Sequence, residues 1–161
     1  MKFEIEQWAL ALPREPAARA AAWELLGMLG ILDWVEDRVH ARGDVEGHPG
    51  VIVTNVANLR FNYTALEKSR ELEVLSYESG QNWLENVELP RVSHIGMHVT
   101  ETELSEWRVR LAPYVSVVQE VFTKRHTNPI IAGKRWYHYV VFGAAHLIGV
   151  DIKFIVRRDE E

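Results

Sequence analysis

Four polar residues stand at matched places in the two halves of this sequence: Gln7 and Glu73 in the first, His94 and Asp151 in the second. Gln7 opens Gln7-Trp8-Ala9-Leu10-Ala11-Leu12, where small or polar residues alternate with bulky ones. His94 opens His94-Ile95-Gly96-Met97-His98-Val99, which alternates in the same way. Glu73 lies in Leu72-Glu73-Val74, and Asp151 lies in Val150-Asp151-Ile152. An amide oxygen, an imidazole and two carboxylates converging from four strands make a donor set for one divalent ion. Each residue alone has a plainer reading: Glu73 and Asp151 as solvated strand residues, Gln7 as a surface residue, His94 as a hydrogen-bonded core histidine. The matched placement is what raises the chemical reading to equal standing.

The elements that must position them follow from periodicity. Residues 3–12 read as a strand with Trp8, Leu10 and Leu12 on one side and Gln7, Ala9 and Ala11 on the other. Pro13 and Pro16 lead into a helix over 17–29, whose Ala18, Ala22, Leu25 and Leu29 share a face to bury. Strands are expected over 34–42, 51–63 and 70–78, with 43–50 rich in turn signals. A polar connector, 80–90, precedes a second round. There, 91–99 is a strand, and Thr100 with Glu103 has capping-box spacing before a helix marked by Leu104, Trp107 and Leu111. Strands over 115–124, 134–144 and 149–157 complete it. The expected organisation is one domain, 1–161, with module one over 1–79 and module two over 91–161.

Composition narrows the function. A chain of 161 residues with 47% hydrophobic and 25% charged residues is long enough to bury a core. The net charge of -5 argues against a nucleic-acid partner, because phosphate binding needs a basic surface. The absence of cysteine removes disulfides, thiolate metal sites and a cysteine nucleophile. No apolar run approaches the ~20 residues of a membrane span, so no membrane partner is expected. Met1-Lys2-Phe3-Glu4 lacks a signal-peptide pattern, and a cytoplasmic location is expected.

Two rounds of strand-helix-strand-strand-strand, with Val92-Ser93-His94-Ile95-Gly96-Met97-His98-Val99 and Glu71-Leu72-Glu73-Val74-Leu75 in place, resemble the vicinal oxygen chelate superfamily. That superfamily includes glyoxalase I, methylmalonyl-CoA epimerase, fosfomycin-modifying enzymes and extradiol dioxygenases. The resemblance spans residues 3–157. It implies an α+β, glyoxalase-like fold: paired βαβββ modules whose curled mixed sheets enclose a shared cleft, with Ala9, Ala11 and Gly96 facing it. Trp8, Leu10, Met97 and Val99 would pack under the helices. It also implies a divalent metal ion (zinc, nickel, cobalt or manganese) held by Gln7, Glu73, His94 and Asp151. The implied reaction is that of a lyase or isomerase, in which the ion polarises a carbonyl of a small oxygen-chelating substrate and stabilises an enediolate. Asp151 is the implied base, with Glu73 its rival because the aspartate is one methylene shorter than the usual glutamate. A homodimer is implied as well. The alternative is a metal-free protein that binds or sequesters a small molecule on the same scaffold.

Around that set, His98 shares the strand face of His94 and could support a ligand, act as a general base or line the cleft; lining is the expectation. Tyr137, Tyr139 and His138 have polar tips that could orient a substrate. Arg60 and Arg135 could hold an anionic group, or simply form surface ion pairs. Rival chemistries find less support. His98-Val99-Thr100 fits one element of a two-histidine phosphoesterase, but no other histidine is followed at its second position by Ser or Thr. Gln7 stands where an extradiol dioxygenase needs its first histidine. No phosphate loop, HExxH or nucleophile elbow is present.

Overall fold

The computed structural model describes residues 1–29, 44–45, 48–49, 56–58, 71–75, 84, 86–124 and 133–159. The first round comprises β1 (Gln7–Ala11), α1 (Pro16–Met28), β2 (Asp44–Val45), β3 (His48–Pro49), β4 (Val56–Asn58) and β5 (Glu71–Leu75). The second comprises β6 (Arg91–His98), α2 (Glu101–Leu111), β7 (Val117–Thr123), β8 (Arg135–Phe142), α3 (Ala145–Ile148) and β9 (Asp151–Asp159). Among the described residues, a curled mixed sheet runs β4-β5-β1-β6-β9-β8-β7. Strand β1 pairs with β5 in parallel and with β6 antiparallel, so the two rounds join edge to edge. Strand β9 pairs with β6 in parallel and with β8 antiparallel.

Helix ends follow local chemistry. The Glu15 carboxylate accepts hydrogen bonds from the Ala17 and Ala18 amides, and Pro16, which has no amide hydrogen to satisfy, opens α1. At α2 the capping box is present in both directions: Thr100 Oγ1 accepts from the Glu103 amide, and Glu103 Oε2 from the Thr100 amide. Short α3, unforeseen in the sequence, ends on Gly149 at φ 84°, a left-handed conformation that side chains rarely adopt.

One face of the sheet carries α1 and α2. Under α2, Leu104 packs with Met97, Val115, Val140, Phe142, Phe154 and Val156, and Phe3, Val99 and Trp107 close the edges. The ring of Phe154 meets Trp107 in a stack and Phe3 and Phe142 edge-on, at 5.5–5.8 Å between centroids. Under α1, Leu12, Leu26 and Val74 pack with Ala22, Trp23 and Leu72. Two expectations change here. Leu25 and Leu29 are exposed, because the buried face of α1 runs through Ala22, Trp23 and Leu26. Trp8 is also exposed, since it falls outside that cluster although it shares the helix side of β1. The turn-rich segment 43–50 contains the β2–β3 ladder, in which Val45 pairs with His48. The strand expected over 34–42 lies outside the described residues.

Candidate active site

The face opposite the helices carries Gln7, Ala9, His94, Gly96, His98, Asp151 and Lys153, because alternate residues of a strand share a side. Its ladder corrects the matched placement read from sequence. Gln7 is aligned with Glu71 and His94 with Asp151, whereas Ala9 is aligned with Glu73 and Gly96 with Lys153. The counterpart of Asp151 in the first round is therefore Glu71, and the counterpart of Glu73 is Lys153. In the ladder, Glu73 stands two positions beyond the Gln7–Glu71 pair.

Gln7 and His94 do meet. His94 is wholly buried and Gln7 nearly so, and Gln7 Oε1 lies 3.0 Å from His94 Nε2. Two local features permit this. A bulge between Ala9 and Leu10 leaves Ser93 as the extra residue of β6, and its hydroxyl reaches His94 Nδ1 at 3.1 Å. Gly96 leaves the space that Gln7 crosses: a Cβ there would stand 2.9 Å from Gln7 Oε1 and 3.2 Å from Gln7 Cβ. An amide oxygen only accepts, so Nε2 carries the imidazole proton and the Ser93 hydroxyl donates to Nδ1. The hydroxyl can also accept, which allows the ring to turn over its tautomer and expose the Nε2 lone pair.

The other members of the expected set are placed differently. Asp151 is buried, and its Oδ1 accepts the Ala144 and Ala145 amides at 3.0 Å each, so one oxygen holds the start of α3. Among the described residues, no group of three or more His, Asp or Glu gathers as metal ligands. Of the expected donors, Gln7 Oε1 and His94 Nε2 stand together, at a hydrogen-bond distance of 3.0 Å.

Of the substrate-binding candidates, Tyr137 and Tyr139 stack at 5.4 Å on the face of His94, with Lys153 Nζ 4.8 Å from the Tyr139 ring centre. His138 faces the other way. It stacks on Phe122 and bonds Glu120 at 2.7 Å and the α2 residue Glu101 at 3.3 Å, so it joins helix to sheet on the helix side. Burial works to raise the Glu120 carboxyl, but the His138 hydrogen bond and the charges of Arg108 and His138 outweigh it and hold it below its ordinary value. Arg135 starts β8 opposite Asp159, and Arg60 lies outside the described residues. Ala9 and Ala11, expected to face a cleft, are covered by Leu75, Leu84, Val87 and Leu89. The connector is tied there by Arg14, which donates to the carbonyls of Leu84 and Val87.

Sequence reasoning passed over Glu6. This buried glutamate directs Oε2 at both the backbone amide (2.9 Å) and Nδ1 (2.8 Å) of His98. Only the pairing of β1 with β6 brings these residues together, across 92 positions of sequence.

No family model and no curated protein matches the chain. Solved structures do. A hypothetical protein from Bacillus halodurans superposes at a TM-score of 0.50 and 14% identity, over 98% of this chain and 96% of that one. Two variants of Streptomyces coelicolor methylmalonyl-CoA epimerase in complex with 2-nitronate-propionyl-CoA do so at 0.50 and 15%, over 97% of this chain and 95% of theirs. The fold is glyoxalase-like. At such identities the likeness concerns architecture, and the chemistry must be argued from this chain's own residues.

Proposed function

We propose that the chain is a lyase or isomerase of the glyoxalase-like type, acting on a small oxygen-chelating substrate with the help of a divalent ion. The observation that carries this reading is the pair Gln7 Oε1 and His94 Nε2, contributed by the leading strands of the two rounds and buried 3.0 Å apart. Gln7 and His94 would hold the ion, with Glu73 the candidate carboxylate from β5 and Asp151 the candidate from β9. When bound, the ion would act as a Lewis acid toward a carbonyl oxygen. Ser93 holds the His94 ring and accommodates either tautomer. Burial around His94 excludes water, which strengthens every charge interaction at the site. The fold likeness is compatible with this reading, as one of its neighbours is named as an epimerase.

Elemental analysis of the full chain purified without a polyhistidine tag tests it. Near-stoichiometric zinc, nickel, cobalt or manganese is expected, abolished in His94→Ala and weakened less in Gln7→Ala. Metal retained at wild-type level in His94→Ala would overturn the site. A second reading, a metal-free protein that binds a small molecule, is favoured by one observation: Ser93, His94 and Gln7 already form a continuous hydrogen-bonded chain. A metal-free protein that still binds a small carbonyl compound would support it.

A further inference from the structure

We propose that His98 is the proton acceptor of this site and that Glu6 is its positioning residue, an inference that rests on the lyase or isomerase reading above. Three observations support it. The His98 ring shares the face of His94 and Gln7 and is 29% exposed, whereas Glu6 is almost wholly buried. Glu6 Oε2 stands 2.8 Å from His98 Nδ1 and 2.9 Å from the His98 amide, so one carboxylate oxygen fixes both ring and backbone. A carboxylate only accepts; Nδ1 therefore carries the proton of the neutral ring, and the Nε2 lone pair is the one left for chemistry. His94 is the converse case, with its Nε2 occupied by Gln7 and its exposure nil.

Placement suits the task. Gln7 Oε1 lies against Gly96, and His98 is two positions further, about 7 Å along the strand. A small substrate whose carbonyl lies near Gln7 then presents its neighbouring carbon toward His98. Lys153 shares that face, aligned with Gly96 two residues from the His98–Ile155 pair. In the step, the carbon–hydrogen bond next to the carbonyl breaks and its proton forms the Nε2–H bond. The electron pair moves onto the carbonyl oxygen, whose developing charge the Lys153 ammonium favours. Glu6 keeps the Nδ1 proton and stabilises the imidazolium. Return of the Nε2 proton to carbon restores the neutral ring and completes an isomerisation. The substrate class is thus a carbonyl compound with an acidic hydrogen on the adjacent carbon.

Two measurements on the full chain decide it. Proton–nitrogen NMR of the histidine rings should show His98 with its proton on Nδ1 and a bare Nε2, shifting toward mixed tautomers in Glu6→Gln. A proton on Nε2 in the wild type would overturn the proposal. With methylmalonyl-CoA as probe, deuterium from D2O should enter at the carbon next to the thioester carbonyl. His98→Gln should slow this ~100-fold or more with metal content and Tm unchanged. Glu6→Gln should lower kcat about tenfold with KM unchanged, and Glu6→Asp should recover part of it. Exchange at the wild-type rate in His98→Gln overturns the role of His98 and leaves the metal reading standing. Exchange retained in a protein that holds no metal overturns the ion and leaves His98 standing. A wild-type chain that catalyses no exchange overturns both for this substrate class.

Discussion

At the scale of single residues, Gly96 and Glu120 make the most direct predictions. A methyl group at Gly96 would press on the Gln7 amide from 2.9 Å, and the amide would have to leave its place beside His94. Gly96→Ala is expected to cost ~1–3 kcal/mol, as an overpacked core position does, and to lower the metal retention proposed for Gln7 and His94. Thermal unfolding and metal analysis of the same sample check both. Glu120 is held below its ordinary carboxyl value of 4.5 despite the opposing effect of burial, by His138 and Arg108. A depressed carboxylate contributes stability above its unfolded-state value and loses it as pH falls through the folded one. Stability of the wild type should therefore decline below about pH 4.5 more steeply than that of Glu120→Gln, measured by denaturant unfolding across that range.

At the scale of elements, Asp151 has a role that its residue type did not disclose. Its carboxylate accepts the two amides that start α3, so β9 and the preceding turn are fastened by one side chain. Asp151→Ala strips two amides of their acceptor and is expected to cost ~1–3 kcal/mol, read by chemical denaturation. Asp151→Asn keeps an acceptor oxygen and should cost less, which separates this structural duty from the proposed ligand role. The capping box of α2 gives a smaller effect: Thr100→Ala should lose about 1 kcal/mol, since the Glu103 amide loses its partner.

Across the molecule, the described residues of the two rounds form separate clusters beneath the two longer helices. The cluster under α2 joins Val140 and Phe154, both wholly buried, to three further aromatic rings, whereas the cluster under α1 centres on Leu12, Leu26 and Val74. Local opening should therefore cost most in β6, β8 and β9. Amide hydrogen exchange is expected to be slowest in those strands and faster in α1, and the reverse order would contradict this account of the core.

What the sequence by itself determined is the part governed by local rules. Alternation in 94–99 and 135–142 sets strand faces, and the Thr100–Glu103 spacing sets a helix start, because both depend on residues a few positions apart. The glyoxalase-like α+β architecture was legible from that order of elements. The pairing of Gln7 with His94 was legible only as a coincidence of placement. Register belonged to the tertiary structure: a parallel ladder is fixed by side-chain packing between distant strands, and it aligned His94 with Asp151 but Gln7 with Glu71. Burial decided the rest. His138 and His98 look alike in sequence, yet one is pinned beneath α2 and the other stands on the opposite face against Glu6, a choice made by what packs on each side of the sheet.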